Sequence, residues 1–189
     1  FFRQAPFPRG RTRRWLTRFA VTAAVICAAS IGTLGAMVTA HLSHPFFVLL
    51  RNLSLSSAFE RFEALIAGLF HDGTKKWTEE QSYSLMKKCA PFALQRDPAV
   101  FHQYTGAYYL EHVLGYRDED VLRAIRHHVD GDDPHDLSRI IYLADKLDPS
   151  RGYDSADMIE MAKKNLKKAV EAERKIQIEY LHAEGKEAV

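Results

Sequence analysis

Apolar residues recur at helical spacing through most of the chain after about His41. In AFERFEALIAGLF (58–70) one broad apolar face is formed by Phe59, Phe62, Leu65, Ile66, Leu69 and Phe70. Such spacing is typical of a helix that packs one face against a core. We find neither the alternation of period two that marks strands nor an internal repeat. The pattern therefore predicts an all-α domain.

Local signals predict where several helices begin and end. The segment TEEQ (78–81) predicts a capping box at the start of a helix that ends near Cys89. Asp97 followed by Pro98 predicts the N-cap and first residue of the next helix, which Gly115 closes.

The rest of the chain is predicted to form three more helices. Asp118 and Gly131 bracket the first, and the second runs from Pro134 to the Asp148-Pro149 pair, where proline opposes continuation. The last is predicted as a single long, charged helix from about Ser155 to His182. Its apolar stripe is compatible with core packing or with a homodimer contact and comprises Met158, Met161, Leu166, Val170, Ile176 and Leu181.

The N-terminal segment differs in character from the rest. Residues 19–40 carry no charge and follow the arginine-rich run RGRTRRWLTR (9–18). This length suffices to span a bilayer, and the pattern also fits a signal peptide. An extension that is foreign to the domain is the other interpretation. We therefore divide the chain into an extension, 1–40, and a domain, 41–189, expected to be cytoplasmic or, alternatively, anchored to a membrane through 19–40.

Charge and cysteine content narrow the function classes. All 24 acidic residues lie from Glu60 onward, against 19 of the 26 basic ones, so residues 60–189 carry a net charge of −5. This balance argues against a nucleic-acid groove. Two cysteines provide neither a disulfide framework nor a cysteine-based zinc site. Nine histidines instead suggest nitrogen and oxygen ligands, which suit iron, manganese or zinc.

Several of these histidines and two aspartates form a candidate metal-binding set. Asp145 follows five largely apolar residues, and a buried carboxylate is costly unless it is paired or binds a cation. A single histidine on such a face is more often a core residue than a ligand. Helical bundles nevertheless build metal sites from facing helices. The set comprises His71, Asp72, His102, His128 and Asp145, with His44 as a sixth candidate.

Four motifs carry a resemblance to a known family. They are ALIAGLFHDGTKKW (64–77), FHQYTGAYYLEHVLG (101–115), VLRAIRHHVDG (121–131) and IIYLADKLDPSRGY (140–153). With them, about residues 44–182 resemble the HD-domain superfamily and, within it, the bacterial symmetrical diadenosine tetraphosphate hydrolases of the YqeK type. The resemblance implies an all-helical bundle with a metal site between helices. It also implies two divalent ions, iron first and manganese or zinc as alternatives.

The resemblance implies that a metal-activated hydroxide cleaves diadenosine tetraphosphate into two ADP molecules. In this interpretation His71, Asp72 and Asp145 match metal ligands. His102 and His128 complete the second metal position or contact substrate phosphate, where either could donate a proton to the leaving group.

Three further assignments concern substrate and the first ligand. Lys75 matches the lysine that follows the family's His-Asp motif, and Arg151 matches a phosphate-facing arginine. Both are expected to stabilise the charge that develops on the phosphate oxygens. His44, in HPFFV (44–48), fits the pattern of the first metal-binding histidine, with His41 as the rival candidate. Tyr142 is one of several tyrosines that could line a base pocket, and core packing is the alternative for it.

Three other functions remain open from the sequence. The domain could be an HD phosphohydrolase of another nucleotide, or a membrane-anchored HD domain that senses nucleotides without cleaving them. It could also be a structural helical protein with incidental histidines.

Overall fold

The computed structural model describes residues 45–53, 58–152 and 154–185, and these residues form helices and no strand. The all-α prediction is confirmed. The helices are α1 Pro45–Leu53, α2 Ala58–Phe70, α3 Glu79–Cys89, α4 His102–His112, α5 Glu119–Arg126, α6 Asp136–Lys146, α7 Ala156–Lys164 and α8 Leu166–Ala183. Three 3₁₀ turns lie at Pro91–Ala93, Pro98–Val100 and Pro149–Arg151.

Helix α6 lies at the centre of the fold. It contacts α1, α2, α5 and α8. Because neighbours cover it on several sides, eight of its eleven residues are buried, which explains the apolar run IIYLA (140–144). Helix α5 packs on both α4 and α6. It therefore joins α4, which begins at the candidate ligand His102, to α6, which ends beside the candidate ligand Asp145.

A second, smaller core holds the start of α4 in place. It consists of Met86, Ala90, Ala93 and Phe101, and Phe101 is only 1% exposed. Because Phe101 directly precedes His102, this core anchors the end of α4 that carries a candidate ligand.

Two predicted helix boundaries are confirmed closely. Helix α2 spans Ala58–Phe70, as its apolar spacing indicated. The capping box before α3 is present, since the Thr78 side chain accepts from the N–H of Gln81 and the Gln81 side chain accepts from the N–H of Thr78.

Two other predicted boundaries were wrong. The Asp97-Pro98 pair begins a 3₁₀ turn, because the Asp97 side chain accepts from the N–H of Ala99, and the α-helix starts only at His102. The last segment is two helices, because Asn165 adopts an extended backbone (φ −159°, ψ 94°) and its side chain caps α8 at Lys168.

The N-terminal predictions fall on residues outside the described ranges. These are the division of the chain at residue 40, the anchor or signal segment 19–40, and the candidates His41 and His44. They stay predictions. Within the described part of the chain, no helix combines the length and apolar character that crossing a bilayer requires.

Candidate metal centre

The residues of the candidate set lie at the ends of four helices. His71 and Asp72 follow the last residue of α2, where the N–H of His71 still bonds to the carbonyl of Ala67 at 2.9 Å. His102 is the first residue of α4, and His128 lies two residues beyond the end of α5. Packing of these helix ends brings together side chains that are far apart in the sequence.

Asp145 comes from the last turn of the central helix α6 and is 8% exposed. His71, His102 and His128 are buried as well, with His128 fully excluded from solvent. The burial predicted for Asp145 from the apolar run before it is therefore present.

The three histidine rings are oriented by the same kind of hydrogen bond. In each, Nδ1 lies within hydrogen-bonding distance of the carbonyl oxygen three residues earlier: His71 to Gly68 at 2.7 Å, His102 to Ala99 at 2.8 Å, and His128 to Ile125 at 2.7 Å. A carbonyl only accepts, so Nδ1 carries the proton and donates. A neutral ring then keeps a free lone pair on Nε2, the arrangement that metal-binding histidines adopt.

Two of these Nε2 atoms meet a carboxylate oxygen. The Nε2 atoms of His102 and His128 are 3.1 Å apart, and Oδ1 of Asp72 lies 3.2 Å from the first and 3.6 Å from the second. An ion bound at about 2.0–2.2 Å holds neighbouring ligand atoms about 3.0–3.5 Å apart. The three atoms are therefore spaced as the ligands of one divalent cation are.

Two observations test whether the residues fit a cation. Oδ1 of Asp72 is buried and makes no hydrogen bond within the described residues. The two facing Nε2 lone pairs repel each other unless a positive charge lies between them. A divalent cation would satisfy all three atoms at once, so His102, His128 and Asp72 form a possible metal site.

His71 lies on the other side of the same carboxylate. Its Nε2 is 3.7 Å from Oδ2 of Asp72 and 4.0 Å from Oδ1 of Asp145. The two oxygens of Asp72 thus face different histidines. This places Asp72 between two groups of ligand atoms, one with His102 and His128 and one with His71 and Asp145.

The protonation states suit cation binding. Burial raises the pKa of Asp72, but the donors around its carboxylate, Lys75 among them, outweigh burial and hold this pKa well below its usual range. Burial likewise raises the pKa of Asp145, but the Lys146 and Arg151 charges outweigh it and lower the value to about 2. Complete burial lowers the pKa of His128 to about 4. Near neutral pH both carboxylates are therefore charged and His128 is neutral.

Three cationic side chains accompany the carboxylates. Lys75 contacts Oδ2 of Asp72 at 2.8 Å and remains 42% exposed at the rim. Arg151 donates from Nε to the backbone carbonyl of Asp145 at 2.7 Å and from Nη2 to its carboxylate. The third is Lys146, whose Nζ lies 3.4 Å from Oδ2 of Asp145. The sequence analysis did not single out Lys146, because a lysine in the last turn of a helix is commonly a surface residue.

Tyr142 lies in the core rather than at the rim. Its side chain is among the largest fully buried ones and is 1% exposed, with the ring against Gly131. A ring this buried offers no free face to a nucleobase, so the predicted substrate contact would require it to leave the core. The position of Tyr142 in this structure agrees with the alternative, core packing.

The sequence analysis also did not single out two threonines that lie next to the candidate ligands. Thr74 and Thr105 are buried, and their hydroxyl oxygens are 2.7 Å apart. No periodicity marks such a pair, because one partner lies in the turn after α2 and the other in α4.

Comparisons with known proteins point to one family. The HD domain model matches residues 42–150. A solved structure described as a predicted HD superfamily hydrolase involved in NAD metabolism, from Clostridium acetobutylicum, aligns with a TM-score of 0.64 and 27% identity. The alignment covers 75% of this chain and 77% of that one.

Two curated relatives are similar over part of their length. The Bacillus subtilis protein named symmetrical bis(5'-nucleosyl)-tetraphosphatase is 32% identical over 112 residues, which are 57% of this chain and 60% of the relative. The Mycoplasma genitalium protein named probable nicotinate-nucleotide adenylyltransferase/Ap4A hydrolase is 31% identical over 129 residues, 64% of this chain and 37% of the relative. The chain thus spans less than two thirds of the length of each of these relatives. Because the family match extends over more than half of the sequence, the chain belongs to the HD-domain family.

Proposed function

We propose that this chain is a metal-dependent phosphohydrolase that cleaves diadenosine tetraphosphate symmetrically into two ADP molecules. The observation that carries the proposal is the convergence of Asp72 Oδ1 with the Nε2 atoms of His102 and His128 in a buried site. The names of the curated relatives supply the substrate class, a dinucleoside polyphosphate.

We assign the metal ligands as His71, Asp72, His102, His128 and Asp145, holding two divalent cations. Iron is the first candidate, with manganese and zinc as alternatives. The position of Asp72 between two groups of ligand atoms supports two ions rather than one. His44 is the remaining proposed ligand. In support, Phe46, two residues further along, stacks on the His71 ring at 5.0 Å, so α1 begins beside the site.

Bound divalent cations supply Lewis acidity, which neutralises phosphate oxygens and activates a water molecule near neutral pH. The chain's own residues bind and orient the substrate. Lys75 holds an exposed positive charge beside Asp72, where it would attract an incoming polyphosphate. Arg151 is tied to Asp145 by its Nε, which keeps its guanidinium beside the site for a phosphate oxygen.

His102 is the proposed proton donor to the leaving phosphate, if substrate rather than metal occupies its Nε2. His128, the other candidate donor, is neutral near neutral pH with its proton on Nδ1, and is therefore better suited to remain a ligand. Each ring has Nδ1 committed to a backbone carbonyl, so Nε2 is the atom that would hold and release the proton. Only one of the two can serve in this role while the other remains a ligand.

The test is hydrolysis of diadenosine tetraphosphate by the full chain with ferrous iron or Mn²⁺, with products separated by anion-exchange chromatography. We expect ADP as the sole product, and loss of turnover in Asp72→Asn and His128→Asn. His112→Ala is the matched control, because this α4 histidine is 49% exposed and stacks on Tyr108.

Two outcomes would contradict the proposal. AMP together with ATP would show asymmetric cleavage. Intact substrate in the presence of bound metal would point to another nucleotide, the alternative within the same class, and a panel of deoxynucleoside triphosphates and cyclic nucleotides would follow.

A further inference from the structure

A pair of buried hydroxyl groups joins the turn that carries Asp72 to the helix that carries His102. Thr74 lies two residues after Asp72, and Thr105 lies on α4 three residues after His102. Thr74 is 1% exposed and Thr105 is fully buried. Their Oγ1 atoms are 2.7 Å apart, a short hydrogen bond between side chains 31 residues apart in the sequence.

Each hydroxyl of the pair also has a backbone acceptor at the start of α4. The Thr105 hydroxyl lies 3.1 Å from the carbonyl oxygen of Phe101, and the Thr74 hydroxyl lies 3.4 Å from that of His102. Because a hydroxyl has one proton, one threonine donates to the other, and the accepting threonine donates to its own carbonyl. In either direction the chain of donors ends on the backbone at or next to His102, a candidate ligand.

The same contact brings the two backbones close together. A Cβ atom added at Gly106 would lie 3.5 Å from the carbonyl oxygen of Phe70 and 3.6 Å from that of His71. Both are ordinary van der Waals distances, so the backbone of α4 at Gly106 lies against the end of α2. The Thr74–Thr105 hydrogen bond lies beside this close approach. Because a hydrogen bond is directional and apolar packing is not, it fixes the orientation and the register of α4 relative to the turn.

We propose that Thr74 and Thr105 are positioning residues that hold Asp72 and His102 at the separation a metal ion requires. The proposal rests on the metal centre of the proposed function. Asp72 Oδ1 and His102 Nε2 lie 3.2 Å apart although they come from segments 30 residues apart, and the hydroxyl pair is a direct side-chain hydrogen bond between those segments. Hydrogen-bonded groups behind metal ligands orient them and change metal affinity when they are removed.

The experiment measures the affinity of the full chain for Mn²⁺ alone, by titration calorimetry. Thr74→Val keeps the shape and removes the hydroxyl, as does Thr105→Val, and each should weaken Mn²⁺ binding about 10- to 100-fold. Thr74→Ser keeps the hydroxyl and should restore nearly all of the affinity. The double variant should bind no more weakly than the weaker single variant, because both changes remove the same bond.

Thr78→Val is the control for a general loss of stability. It removes the N-cap of α3, an exposed position in the capping box, and should leave Mn²⁺ affinity unchanged. If Thr74→Val does not fold, Thr105→Ala compared with Thr105→Ser makes the same comparison from the other side of the bond.

The outcomes separate this inference from the proposed function. Unchanged Mn²⁺ affinity in the hydroxyl-free variants, or losses that add in the double variant, would overturn the positioning role while the metal centre stands. Absence of Mn²⁺ binding by the unmodified chain would overturn the metal centre and the positioning role together. Metal binding without ADP formation would overturn the proposed reaction only, and the affinities of the variants would still decide the positioning role.

Discussion

Two adjacent histidines show how strongly position determines the chemistry of one side chain. His128 is fully buried, and burial lowers its pKa to about 4. His127 is 36% exposed and donates from Nδ1 to Asp132 at 2.6 Å, a contact that raises its pKa above the ordinary value. His128 is therefore neutral at pH 7, as a metal ligand must be, whereas His127 is suited to a surface ion pair.

We predict that the pKa of His127 lies above about 6.5, the value of an unperturbed histidine, and that Asp132→Asn lowers it toward that value. The cause is the hydrogen bond to Asp132, whose own pKa is lowered by the same contact. The measurement is a pH titration of the imidazole C–H signals by NMR in both proteins. Equal His127 pKa values in the two proteins would show that the pair does not form in solution.

The His127–Asp132 ion pair should stabilise the fold more at low pH than at high pH. A histidine with a raised pKa contributes stability that is present below about pH 6.5 and is lost as pH rises through the raised value. Both side chains are partly exposed, so the contribution is at most about 1 kcal/mol. Urea unfolding should therefore separate the unmodified chain from Asp132→Asn at pH 5.5 and bring the two closer at pH 9. A gap that widens with pH would contradict this sign.

Gly131 offers a second prediction at the residue scale. Gly131 and Gly115 both have positive φ, 61° and 72°, so alanine at either position costs about 1–2 kcal/mol of backbone strain. A Cβ at Gly131 would also lie 2.7 Å from the buried ring of Tyr142, whereas one at Gly115 would meet no atom within 4 Å. We expect Gly131→Ala to cost about 1–3 kcal/mol more than Gly115→Ala in urea unfolding, because only the first overpacks the core. Equal costs would mean that the Tyr142 ring moves aside freely.

At the scale of single helices, the reliable signals were those that act within a few residues. The apolar spacing of α2 and the capping box of α3 involve near neighbours in the chain, and both are present. The break at Asn165 was not predictable, because the residues on both sides favour a helix and the charge pattern continues across it. The extended conformation at Asn165 is stabilised by the cap that its side chain gives α8 and by the packing of α7 on α8.

We predict that Thr78→Ala lowers the free energy of unfolding by about 1 kcal/mol, because it leaves a backbone N–H at the start of α3 without its acceptor. Thr78→Ser keeps that acceptor and should cost only a few tenths of a kcal/mol. Urea unfolding of the three proteins measures the difference. Equal losses for alanine and serine would show that packing of the threonine methyl, and not the cap, stabilises the helix.

At the scale of the whole molecule, residue types could be predicted from sequence but their partners could not. Burial of Asp145 followed from the apolar residues before it, and the structure brings His71, Asp72, His102 and His128 together with it. The pairing of Arg151 with Asp145, the burial of Tyr142 and the Thr74–Thr105 bond depend on how separate segments meet. A pattern along one segment contains no information about these contacts.

The proposed ligands come from the ends of α2, α4, α5 and α6, so only the folded chain can present them together, and a bound ion must stabilise the whole fold. At a free metal concentration 100 times its Kd the stabilisation is about 2.7 kcal/mol, which for a chain of this size raises the Tm by roughly 5–11 °C. Thermal unfolding followed by circular dichroism, with Mn²⁺ and then with EDTA, measures this shift. His128→Asn should lose most of it, whereas Thr78→Ala should start from a lower Tm and keep the full shift. An equal rise in His128→Asn would show that the ion binds elsewhere, because a ligand can stabilise the fold only through the atoms that hold it.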